Sequence, residues 1–214
     1  MRTKILLTAA AALVAGLVSS NAQIYSANVV GYMTVQLTNG FTMVANQLDL
    51  DGTGTNNGIY TVVGTNMPNL AQVEAWNGNG FSPSKFSTGT HKWSANNQLF
   101  TNAMSIGSGF FVQSSVNTNF IEIGNVIQGT NMIPISVGFQ VISPTAPLSG
   151  GIHTVFGYNP SKLDNVEVWN GNGFSPHKWS GTSFSSGEPV FSPGQSMFLQ
   201  AVSNNVWTNI FVVQ

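Results

Sequence analysis

Apolar residues recur along the chain in short runs, many alternating with polar ones, and the runs are separated by Gly, Asn, Ser and Pro. FTMVANQL, YTVV, QVEAW, FFVQS, FIEI, FQVI, HTVF, VEVW, MFLQAV and NIFVVQ are each rich in β-branched and aromatic side chains, and each reads as a strand. Past the first 22 residues nothing keeps the helical period over three turns; the best stretch, MPNLAQV at Met67–Val73, offers one turn at most. The pattern predicts an all-β protein.

One stretch occurs twice. VEAWNGNGFSP at Val73–Pro83 returns as VEVWNGNGFSP at Val166–Pro176, and the same spacing links Gly58-Ile59 to Gly151-Ile152, Thr61-Val62 to Thr154-Val155 and Lys85 to Lys178. Further out the spacing drifts. GFTMVANQL at Gly40 answers GFQVISPTAPL at Gly138, GSGFFVQS at Gly107 answers GQSMFLQA at Gly194, and TNFIEI at Thr118 answers TNIFVV at Thr208. Matching strands with small slips between them are the mark of a copied unit whose loops have gained and lost residues. The expected architecture is two tandem antiparallel β-sandwich or open-barrel repeats, 23–123 and 124–214; a single domain of two interlocked halves is the alternative.

Asn-Gly between apolar runs is a hairpin signal, because a primed turn needs positive φ at two positions that Asn tolerates and Gly adopts freely. Four-residue loops at Asn77–Gly80 and Asn170–Gly173 set Trp76 opposite Phe81 and Trp169 opposite Phe174.

The N-terminus belongs to targeting rather than to the fold. Arg2 and Lys4 precede an apolar run from Ile5 to Val18, and Ser20-Asn21-Ala22 has the small-x-small form of a cleavage site, so residues 1–22 read as a signal peptide. The run is shorter than the roughly 20 residues that span a bilayer as a helix, and no other segment reaches that length. The expected destination is outside the inner membrane: periplasm, outer surface or extracellular space. With Cys 0, folding there relies on burial and hydrogen bonds. Only 6% of residues are charged, and without Arg2 and Lys4 the formal charge goes from −1 to −3, with Lys85, Lys92, Lys162 and Lys178 the remaining cations. Four scattered lysines cannot replace counterions along a phosphate backbone, which excludes nucleic acid as a partner.

Three chemistries are candidates. An exposed indole can cover the apolar face of a sugar while a neighbouring amide binds its hydroxyls, so Trp76, Asn77, Trp169 and Asn170 are a candidate bivalent glycan site; core packing is the commoner role for such aromatics. In DLDGTGTNNG at Asp49–Gly58 the carboxylates of Asp49 and Asp51 alternate with glycines, as in calcium loops, but Tyr60 stands where an EF-hand closes with an acid, and a metal-free Asx-rich turn fits as well. Glu74 and Glu167 are the only duplicated pair of carboxylates that symmetry could bring together for a glycan hydrolase, but each precedes its tryptophan by two, shares its face of the strand and is expected at the surface. No G-x-S-x-G elbow and no zinc-type histidine spacing occurs, so the sequence predicts no enzyme and no required cofactor.

The segment IYSANVVGYMTVQL, followed by GFTMVANQLDLDGTGTNN and later by GFFVQ, resembles a group of uncharacterised secreted, duplicated β-rich proteins of Verrucomicrobia-type bacteria. The resemblance implies export and a duplicated β fold and carries no activity with it. In the second copy VVGY becomes VIQG and ANQL becomes SPTAPL. The expected function is that of a non-catalytic envelope or extracellular structural or adhesion protein, with self-association or surface glycans as its partners.

Overall fold

The computed structural model describes residues 29–94 and 104–213, so the expected signal peptide lies outside the described residues. The chain is all-β. The first half comprises β1 (Val29–Leu37), β2 (Gly40–Ala45), β3 (Leu48–Asp49), a single helical turn α1 (Ile59–Val62), β4 (Gln72–Trp76), β5 (Phe81–Ser87), β6 (Lys92–Trp93), β7 (Gly109–Ser114) and β8 (Thr118–Val126). The second comprises β9 (Gly129–Ile135), β10 (Gly138–Ile142), β11 (Gly150–Gly151), β12 (Asn165–Trp169), β13 (Phe174–Lys178), β14 (Val190–Phe191), β15 (Met197–Ala201) and β16 (Asn205–Phe211). Among the described residues no helix is long and apolar enough to cross a membrane.

The strands pair antiparallel in several sheets, none closed into a barrel. A five-stranded sheet has the order β2-β7-β4-β5-β6, and a four-stranded sheet the order β10-β15-β12-β13. The first four strands of one therefore follow the same path as the four of the other. Each sheet is covered by a ribbon: β1 pairs with β8, which also carries β3, and β9 pairs with β16. Alternation explains the layers, since Leu37 and Phe120 point from the first ribbon into a core with Val44, Val73, Phe110 and Val112, while Trp207 and Ile133 point from the second into a core with Val166, Leu199 and Phe191.

Two strand expectations are corrected. YTVV is not a strand: Ile59 and Val62 bury their side chains from α1, which ends where Val63 and Gly64 both donate to the Ile59 carbonyl and Gly64 takes φ 74°. HTVF likewise forms a turn, tied by Val155 and Phe156 N–H bonds to the Gly151 carbonyl, while MPNLAQV holds a single turn, closed by the Ala71 N–H on the Pro68 carbonyl, before β4 begins. The proposed boundary at 123/124 falls inside β8, a continuous strand paired with β1 along its length. The register also moves one alignment. Leu37 lies opposite Thr118 and Ile135 opposite Asn205, so Phe120 corresponds to Trp207 and Glu122 to Asn209, three positions away from the TNFIEI/TNIFVV match.

Candidate functional site

The duplicated motif forms two hairpins in the expected register, Trp76 opposite Phe81 and Trp169 opposite Phe174. The turn type differs from expectation. Only Gly78 (φ 97°) and Gly171 (φ 98°) take positive φ in the loops, while the asparagines act through their side chains. Asn77 Oδ1 accepts from the N–H groups of Asn79 and Gly80 at 3.0 Å each, and its Nδ2 donates to Ser82 Oγ at 2.9 Å. Asn170 repeats this with Asn172 (3.1 Å), Gly173 (3.0 Å) and Ser175 (3.1 Å). Both amides are thus committed to the turn. Asn77→Ala or Asn170→Ala should each cost about 1 kcal/mol, a drop of roughly 2–4 °C in the thermal midpoint measured by calorimetry.

The indoles lie between the halves. Trp76 Nε1 donates to the Phe139 carbonyl (3.1 Å) and Trp169 Nε1 to the Phe41 carbonyl (3.0 Å), and Phe41 and Phe139 occupy corresponding places in β2 and β10. The aromatic contacts are reciprocal too. Trp76 meets Phe198 edge-on with centroids 5.0 Å apart, and Trp169 meets Phe111 at 5.1 Å. Each indole also packs on its own cross-strand partner, Phe81 at 5.1 Å and Phe174 at 5.2 Å. Backbone bonds cross in the same paired fashion, from Ala45 N–H to the Gly194 carbonyl (2.9 Å) and from Ser143 N–H to the Gly107 carbonyl (2.8 Å). This is the i-to-j, j-to-i pattern that a twofold axis produces. At its centre a Cβ on Gly109 would stand 2.3 Å from that of Ser196, and Ser196 Oγ donates to the Val44 carbonyl (2.8 Å).

No family model, curated protein or solved structure matches this chain. Its site residues are therefore read from their geometry.

The other indoles are core residues: Trp93, Trp179 and Trp207 are buried, with Trp93 Nε1 bonded to the Gly64 carbonyl and Trp207 Nε1 to the Phe156 carbonyl, both at 2.7 Å. Glu74 and Glu167 are half-buried rather than at the surface, and each accepts from a side chain two positions earlier on its own strand, Gln72 and Asn165 respectively. Glu74 lines a cavity of about 170 Å³ walled by Phe41, Phe81, Phe111, Trp169 and Phe174. Asp49 is buried and accepts from Gly52 N–H (3.0 Å) and Gly54 N–H (3.1 Å); Asp51 is exposed, and bonds from the Thr53 N–H and hydroxyl hold its carboxyl below the usual range. These are Asx-type turn contacts. Among the described residues no group of three or more His, Cys, Asp or Glu is placed to hold a metal.

Two buried carboxyls contrast sharply. Asp164 accepts from the Tyr158 hydroxyl (2.9 Å), Ser161 N–H (2.8 Å) and Val202 N–H (2.8 Å), and its charge together with burial pushes the Tyr158 hydroxyl well above the usual phenol range, burial being the larger cause. Glu122 is fully buried with neither carboxylate oxygen hydrogen-bonded. Burial pushes its carboxyl well above the ordinary value of 4.5; the Gln47 backbone N–H pulls weakly the other way without reaching hydrogen-bond geometry. Period two already set Glu122 on the inner face with Phe120, the one signal in the sequence that could have found it.

Beside the junction lies the cleft that sequence reasoning missed. It measures about 410 Å³ and runs from Thr34 and Gln36 on β1 across Phe41 and Thr42 on β2 to Trp169 and Asn170 on the hairpin and Gln195 in the loop before β15. None of its lining residues is charged.

Proposed function

We propose that this is a secreted, duplicated, non-catalytic envelope or extracellular structural protein that works by associating with further copies of itself. The observation that carries the reading is the outer face of the two ribbons. Val30, Tyr32, Ile121 and Ile123 stand exposed on β1 and β8, and Met132, Val206 and Ile210 on β9 and β16, with Met132 71% and Tyr32 66% accessible. The only charged residue in these four strands is the buried Glu122. Lysines guard other strands: Lys85, Lys92 and Lys178 are exposed on β5, β6 and β13. A neutral, apolar sheet face next to an unguarded edge strand is built to be covered, and a second copy offers a face of the same chemistry. Support for a non-catalytic role comes from the carboxylates: Asp164, Glu74, Glu167 and Glu188 all accept hydrogen bonds from neighbouring protein groups, Glu188 Oε1 from the N–H groups of His153 (2.6 Å) and Thr154 (2.7 Å).

Sedimentation velocity across a hundredfold concentration range should show concentration-dependent oligomers of the processed protein. Tyr32→Lys with Ile123→Glu places an opposite-charge pair at facing positions on the ribbon, keeps the cross-strand register and should weaken association at least tenfold. A wild-type protein that remains monomeric throughout and adheres to no cells would refute the proposal.

A further inference from the structure

The geometry points to the cleft beside Trp169 as a binding site for a neutral, hydroxyl-rich ligand, a stretch of uncharged glycan. Its volume, about 410 Å³, lies within the range of small-molecule sites. Its chemistry is selective: Thr34, Gln36 and Thr42 line it with side chains that make no hydrogen bond among the described residues, and aromatic walls are supplied by Phe41 and Trp169. Gln195 uses its Oε1 to accept from Ser192 N–H (2.8 Å), which fixes the side chain and leaves the amide N–H₂ to donate. Neutral donors and acceptors beside aromatic carbon suit a sugar ring, whose edges carry hydroxyls and whose faces carry C–H groups; a charged ligand would find no counter-charge.

An internal comparison strengthens this. The junction generates a corresponding place in the other half, with Trp76 for Trp169 and Phe139 for Phe41, and with the same indole-to-carbonyl bond. There the chemistry is gone. Met132 stands for Thr34, Pro134 for Gln36 and Ser108 for Gln195, while Gln140, standing for Thr42, donates its Nε2 to the Ser136 carbonyl (2.7 Å) and the Ser108 hydroxyl donates to the Ser105 carbonyl (2.6 Å). The scaffold is shared by both places, whereas unspent polar groups are gathered at one. Packing requirements common to the two halves do not account for that difference. The site differs from a platform of exposed indoles, because Trp169 contributes a wall while its N–H is held by Phe41. It shares the outward side of β1 with the self-association face, where Thr34 lies opposite Ile121, but takes the part of that side next to the Trp169 hairpin.

The test is retention of the processed full-length protein on an array of neutral gluco-, xylo-, manno- and galacto-configured oligosaccharides, with polygalacturonate as the charged control. Titration calorimetry follows on the best binder. The expected result is binding of at least one neutral series and not of polygalacturonate, weakened at least tenfold by Thr34→Met with Gln36→Ala and unchanged by Gln140→Ala in the corresponding place. Both changes replace side chains that make no hydrogen bond among the described residues and leave the β1–β8 pairing in place, so the thermal midpoint should hold and separates lost binding from lost fold. Retention of no neutral oligosaccharide, or binding indifferent to Thr34→Met with Gln36→Ala, overturns the assignment. Because Thr34 lies opposite Ile121, sedimentation of the same variant is run alongside, and a loss of retention with association unchanged assigns the effect to the cleft.

Discussion

A Glu122→Gln variant is expected to be more stable than the wild-type protein at neutral pH and to lose a pH dependence of about 1.4 kcal/mol per unit. The sign follows from where the proton sits. Below the ordinary value of 4.5 the carboxyl is neutral whether the chain is folded or not, and it costs nothing as a charge. Above 4.5 the unfolded chain releases the proton while the fold retains it, because burial holds the folded value well above that point. Folding then takes up a proton, and stability falls with rising pH until the folded value is reached. Glutamine keeps the shape without the ionisation. Denaturant melts of both proteins from pH 5 to pH 8 measure the difference directly, and parallel curves would show that Glu122 is solvated or paired in the native state. The corresponding residue shows what a settled arrangement looks like: Asn209 is equally buried, but it accepts from the Thr145 hydroxyl (2.8 Å) and donates to the Phe156 carbonyl (3.1 Å).

The second large effect belongs to the indoles of the junction. Trp76→Ala or Trp169→Ala removes an edge-on contact with the opposite half, a cross-strand contact with Phe81 or Phe174, and the donor to the Phe139 or Phe41 carbonyl. Each should cost about 3 kcal/mol, or roughly 10 °C in midpoint for a chain of this size. Both residues join one aromatic cluster with Phe81, Phe111 and Phe198, so the double variant should depart from the sum of the singles. Differential scanning calorimetry of the three variants checks this. Single variants within 1 kcal/mol of wild type would mean that the halves are held elsewhere and that the indoles are free for another task.

Local chemistry was legible in the sequence and long-range placement was not. Trp76 and Phe81 face each other across four loop residues, and a contact that near in the chain follows from pattern alone. The Phe139 carbonyl, 63 residues from Trp76, is brought there by the packing of two sheets, which no periodicity encodes. YTVV was misread because a four-residue apolar run looks the same whether a strand or a turn of helix buries it. Asn77 was assigned to the turn by its backbone tolerance, yet it works through three side-chain hydrogen bonds. Thr34 and Gln36 escaped notice for a different reason: alternation places them outward on β1, like many solvent-facing residues, and only the approach of the Trp169 hairpin turns that exterior into a cleft.

Gly109 and Ser196 meet where the two halves would superimpose on each other. In a dimer of identical subunits such a spot must hold the same residue on both sides, leaving a gap if both are glycine and a collision if both are serine. A single chain carrying both halves is free of that restriction: glycine stands on one side, and on the other the Ser196 hydroxyl donates to the Val44 carbonyl. The same release from sameness would let one flank acquire a recognition surface while its twin stayed inert.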